Sequence, residues 1–104
     1  MEISSVELQK KLNNGEKVIV EFWAEWCGPC KMMKPIFEKV ANQNTSEVKM
    51  YTMNVDMNRE IGASLGIRSI PTIKIFNGQE LVDTRVGVLT EGQINGLVTE
   101  LING

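Results

Sequence analysis

Histidine is absent from this chain of 104 residues, and cysteine occurs only twice. Without histidine the chain lacks the commonest metal ligand and the commonest neutral-pH proton carrier. Two thiols alone fall short of the four nitrogen or sulfur ligands that a structural zinc or iron–sulfur site requires, so no metal site is expected within one chain. Excess charge is lacking as well. The net charge of −2 gives neither nucleic acid nor an acidic membrane surface anything to bind. No apolar run approaches the roughly 20 residues of a membrane span, and Met1–Lys11 has no signal-peptide core. A cytoplasmic location is the expectation. What remains, 42% hydrophobic and 23% charged residues, is the balance of one ordinary globular domain over residues 1–104.

In a reducing compartment a lone cysteine pair is more often catalytic than structural, and this pair is closely spaced. Val18–Lys31 reads V-I-V-E-F-W-A-E-W-C-G-P-C-K, an apolar strand running through two tryptophans into Cys27-Gly28-Pro29-Cys30, where a helix begins. Side chains three apart share a helix face, and a disulfide needs Cα atoms about 4.4 to 6.8 Å apart. Cys27 and Cys30 can therefore close a bond across one turn. Pro29 suits a first helical turn, where its missing N–H has no helical partner to lose, and Gly28 leaves room for another backbone to approach. This is the pattern of a reversible dithiol–disulfide couple.

Position divides the labour between the sulfurs. Cys27, at the helix N-terminus, meets unpaired N–H groups and the positive dipole end, together worth about 0.3 to 2 kcal/mol to a thiolate. It is the expected nucleophile, attacking a disulfide of a partner protein to give a mixed disulfide. Cys30, one turn inside, then releases the partner and leaves Cys27–Cys30 oxidised. Glu21 is the third candidate. In the strand Lys17–Trp23 it points with Ile19 and Trp23, opposite Val18, Val20 and Phe22, and a carboxylate in a strand covered on both faces must be neutral or paired. Read as a buried acid of raised pKa, it takes or returns the Cys30 proton, directly or through a water. Read as a partly exposed strand residue, it has no role. Two inert buried cysteines, or a redox-independent surface that grips a structural partner, are the competing readings of the same stretch.

The rest of the chain alternates helix and strand. Ser4 and Glu7 form a capping box for a helix carrying Val6, Leu8 and Leu12, which Asn13-Asn14-Gly15 ends. The helix from Cys30 to Ala41 turns Met33, Ile36, Phe37 and Val40 inward, with Pro35 kinking it; Met32 and Met33 are both assigned to the core. Val48–Val55 alternates as a second strand and completes a right-handed β-α-β unit. Arg59–Leu65 is a short helix stopped by Gly66. Thr72–Phe76 pairs with Glu80–Val86 around the turn signal Asn77-Gly78. Thr90 and Gln93 cap a last helix to Ile102 that turns Ile94, Leu97, Val98 and Leu101 inward. On residue preferences alone the bond before Pro71 is trans.

W-A-E-W-C-G-P-C-K at Trp23–Lys31, Ile70-Pro71-Thr72 and Val86-Gly87 together resemble the thioredoxin family, and the resemblance spans essentially the whole chain. It implies an α/β architecture, a central mixed β-sheet flanked by α-helices on both faces, with a cis bond at Ile70–Pro71. It implies a protein-disulfide reductase with no bound cofactor, its Cys27–Cys30 disulfide reduced by NADPH through thioredoxin reductase, acting as a monomer on disulfide-containing proteins. Trp26, Gly28, Pro29, Ile70, Pro71, Val86 and Gly87 then form a flat apolar rim around Cys27, where backbone beside Pro71 pairs with an extended substrate segment. An oxidase or isomerase role fits less well, because relatives so used usually carry another dipeptide between the cysteines. Two positions depart from the family pattern. Glu21 stands where aspartate is usual, and Thr52 where lysine is frequent.

Overall fold

The computed structural model describes residues 1–104. Its elements follow in the order α1 (Ser5–Asn13), β1 (Lys17–Trp23), α2 (Gly28–Gln43), β2 (Lys49–Asn54), α3 (Arg59–Ser64), β3 (Thr72–Asn77), β4 (Glu80–Val86) and α4 (Glu91–Asn103). The strands form one sheet in the order β2-β1-β3-β4. β1 runs parallel to β2 and antiparallel to β3, and β4 returns antiparallel to β3, so the sheet is mixed as the resemblance implies.

The alternation along β1 sorts its side chains to two faces. Ile19 joins Met33, Phe37 and Val40 of α2 and Leu97 and Leu101 of α4 on one side. Val18, Val20 and Phe22 join Leu8 and Leu12 of α1 on the other, with Ile61 of α3 against them. Each such side chain taken from water contributes about 1.5 to 3 kcal/mol before entropy is counted. Helices thus cover both faces and bury every β1 residue after Lys17, which is why that strand reads as an almost unbroken apolar run.

The helix ends follow local chemistry. Ser4 Oγ accepts the Glu7 N–H at 3.2 Å while the Ser4 N–H donates to Glu7 Oε1 at 2.9 Å. Thr90 and Gln93 repeat that exchange at 3.1 and 2.9 Å. Gly78, at φ +60°, closes the β3–β4 hairpin and donates its N–H to Glu16 O at 2.9 Å.

Three expectations are corrected. Val6 is 64% exposed, because it lies two residues from Leu8, about 200° around the helix, and cannot share the face of Leu8 and Leu12. Met32 is 68% exposed although Met33 beside it is fully buried, so only Met33 belongs to the core. The Ile70–Pro71 bond is cis, as the resemblance implies and against the residue preference.

Candidate active site

β1 ends at Trp23, and a turn through Ala24, Glu25 and Trp26 sets Cys27 as the N-cap of α2, with extended φ and ψ of −94° and 104°. Its sulfur accepts the N–H of Cys30 at 3.2 Å. The two cysteines are joined as a disulfide with Cα atoms 5.3 Å apart, inside the range a one-turn closure allows. Cys27 retains 5% exposure and Cys30 none, so of the two cysteines only Cys27 offers surface to a partner.

Ile70 O lies 3.7 Å from Cys27 Sγ. Neither the N–H nor the C=O of Ile70 bonds another backbone group, which leaves a short peptide edge beside the sulfur. Val86 pairs with Thr72 across the β3–β4 ladder, and the Gly87 N–H donates to Pro71 O at 2.9 Å, which fixes both beside that edge. Gly87 holds φ +98°, a conformation a side chain rarely adopts. Trp26 and Val86 are 71% and 63% exposed, and the indole N–H of Trp26 is held by Asp56 Oδ2 at 2.9 Å. Gly28 and Pro29 are exposed and Pro71 is buried. Ile70 thus lies against Cys27, Gly87 is tied to Pro71 next to it, and Pro71 is buried rather than on the surface.

A groove of about 560 Å³ continues from Trp26 and Ile70, lined also by Val55, Arg59, Ile67 and Arg68. Neither arginine takes part in an ion pair. The sequence reading missed this groove. Trp26 apart, its residues lie roughly 25 to 43 positions from the cysteines, and Arg59 at the start of α3 with Arg68 beyond its end were the only available signal.

Glu21 is fully buried, and neither of its carboxylate oxygens has a hydrogen-bond partner. Loss of water pushes its pKa up from 4.5 to about 8; the Lys34 ammonium opposes that rise, while Glu38 and Glu2 add to it. Lys34 Nζ stands 3.7 Å over the Trp23 ring, a cation–π contact. By strand alternation Glu21 and Trp23 face α2, the helix that carries Cys30. No group of three or more histidine, cysteine, aspartate or glutamate side chains could hold a metal ion.

A buried strand that delivers a disulfide to a helix N-terminus, beside an unpaired peptide edge, defines a thiol–disulfide oxidoreductase. The thioredoxin family model matches residues 1–100, and the chain belongs to the thioredoxin family. It is 40% identical to thioredoxin of Pyropia yezoensis over 95 residues, 91% of this chain and 89% of that one. It is 49% identical to thioredoxin of Rickettsia felis over 71 residues, 68% of each. Among solved structures, chloroplastic thioredoxin z superposes with a TM-score of 0.86 at 30% identity, covering 99% of this chain and 94% of that one. A mutant thioredoxin from Halobacterium salinarum superposes with 0.85 at 28% identity, covering 97% and 88%. With its Cys27–Cys30 pair, the chain is a thiol–disulfide reductase.

Proposed function

We propose that this chain works as a monomer in the cytoplasm, taking electrons from NADPH through thioredoxin reductase and passing them to disulfide-bonded proteins. The observation that carries the reading is the placement of Cys27: N-cap of α2, its sulfur already accepting the Cys30 N–H at 3.2 Å. In the reduced protein the same N–H and the helix dipole stabilise a Cys27 thiolate.

That thiolate attacks one sulfur of the partner disulfide. The partner S–S bond breaks, its other sulfur leaves as a thiolate and takes a proton from water, and a mixed disulfide remains on Cys27. Cys30 gives its proton to Glu21, which was left as a carboxylate when the disulfide was opened, and attacks the Cys27 sulfur; the second partner sulfur leaves as a thiolate and takes a proton from water, and Cys27–Cys30 closes. Two electrons have moved to the partner. The second attack is intramolecular, and effective molarities of about 10⁵ M or more are reached when groups are well placed, so it outruns free thiols. When thioredoxin reductase reopens the disulfide, the sulfur of Cys30 recovers its proton from Glu21.

The free N–H and C=O of Ile70 pair with an extended segment of the partner, and Trp26, Val86 and the apolar floor of the groove receive its side chains. Arg59 and Arg68 favour segments with acidic residues. The test is coupled turnover. NADPH oxidation in a mixture of thioredoxin reductase and a disulfide-bonded protein should require this chain, and Cys27→Ser with Cys30→Ser should abolish it. A double variant that still supported the reaction would leave only a redox-independent binding role.

A further inference from the structure

Glu2 lies 25 residues upstream of the first cysteine, yet the fold brings its carboxylate to the face of the sheet that carries Glu21. Backbone bonds pin it there. The Ile3 N–H donates to Thr52 O at 2.8 Å, and the Thr52 N–H donates to Met1 O at 2.9 Å, a parallel bridge on the outer edge of β2. The carboxylate itself takes three donors. Glu2 Oε1 accepts the Trp23 indole N–H at 2.9 Å and the Thr52 hydroxyl at 2.7 Å. Oε2 accepts the Asn54 N–H at 2.7 Å.

All three donors are neutral, and no lysine or arginine pairs with Glu2. The arrangement therefore fixes the Glu2 carboxylate in place with no basic side chain paired to it. Thr52 is the register neighbour of Glu21 on β2, and Trp23 is two residues along the same strand, so both side chains share the Glu21 face.

We propose that Glu2 is a positioning residue of the redox site: its anchored carboxylate biases the charge state of Glu21, and through Glu21 the proton supply to Cys30. The functional half rests on Glu21 as the proton carrier proposed above. The other charges bearing on Glu21 are Lys34 and Glu38, both from α2. On the flanking strands Thr52 and Ile73 are uncharged, and α4 offers this side only Ile94, Leu97, Val98 and Leu101. Two carboxylates thus oppose one ammonium. Burial is the main cause that keeps Glu21 protonated through neutral pH in the oxidised protein, and Glu2 adds to it, so the acid is ready to donate when the disulfide opens.

The test follows Glu21 itself. Carbon-13 NMR of the oxidised full chain reads the titration of the Glu21 carboxyl, and turnover is measured across the same pH range. Glu2→Gln keeps an oxygen acceptor for Trp23 and Thr52 but removes the charge. It should lower the Glu21 midpoint by roughly half to one pH unit, as a unit charge does at a partly screened distance, and should move the turnover profile with it. Glu2→Asp keeps the charge and should hold the midpoint near that of the parent, which separates charge from any loosening of the N-terminal bridge. An unmoved midpoint in Glu2→Gln, or an equal fall in Glu2→Asp, overturns the inference. A midpoint that falls while the turnover profile stays fixed upholds the control of Glu21 by Glu2 and overturns Glu21 as the proton carrier.

Discussion

Replacing Glu21 with glutamine should remove from the oxidised protein a destabilisation that grows with pH. Glu21 ordinarily titrates near 4.5 and is held protonated to about 8 in the fold. Between those values the native state keeps a proton that the unfolded chain has released, so the free energy of unfolding falls as pH rises, by up to about 1.4 kcal/mol per pH unit. At pH 7 the accumulated loss is about 3 kcal/mol, and by pH 8 it is about 4 kcal/mol, a large share of the 5 to 15 kcal/mol that holds a typical domain together. Below pH 4.5 both states are protonated and the loss vanishes. Glutamine does not ionise and escapes it. Its amide has N–H groups to satisfy, at a pH-independent cost of about 1 to 3 kcal/mol, so the slope of the difference decides the matter rather than its absolute value. Urea unfolding of both proteins between pH 4 and 9, disulfide intact, provides the curves. The difference should open from about pH 5 and level off near pH 8. Curves that stay parallel within about 0.5 kcal/mol would refute the placement of Glu21 as an unpaired buried acid.

Cys30→Ser removes the thiol that releases the partner, so mixed disulfides should accumulate on Cys27; mass spectrometry after thiol quenching should find reducible adducts there, and none on Cys27→Ser. Arg59→Gln together with Arg68→Gln should raise KM several-fold for partner disulfides flanked by acidic residues, leave small uncharged disulfides unaffected, and lose its effect in about 1 M salt, where surface charges are screened. Thr90→Ala removes the side-chain cap of α4 and should cost about 1 kcal/mol, read as a lower urea midpoint at unchanged slope.

Much of the site was legible because its signals are local. Cys27 and Cys30 lie within one turn, both capping boxes span four residues, and the strand alternation alone put Glu21 on one face with Ile19 and Trp23, the face that α2 covers. α4 was readable for the same reason: its 3.6-residue spacing puts Ile94, Leu97, Val98 and Leu101 inward, and all four are buried. What was not legible depends on contacts across the chain. Met32 and Met33 are chemically identical, and only the rotational phase of α2 against the sheet separates them. The cis bond before Pro71 came from the family resemblance, since residue preference points the other way. Glu2 looks like any charged residue near a chain end until Thr52, fifty positions later, donates to it. The arginines of the groove likewise acquire meaning only when α3 and the Ile70 loop are folded against Trp26.

The central claim is that the sulfur at the mouth of α2 is the attacking one. Site-resolved alkylation of the reduced protein tests it most directly, with iodoacetamide rates measured at each cysteine across pH by mass spectrometry. Cys27 should react first, with a midpoint clearly below the roughly 8.5 of a free thiol, while Cys30 stays protected at neutral pH. Faster modification of Cys30, or a Cys27 midpoint no lower than that of a free thiol, would contradict the account.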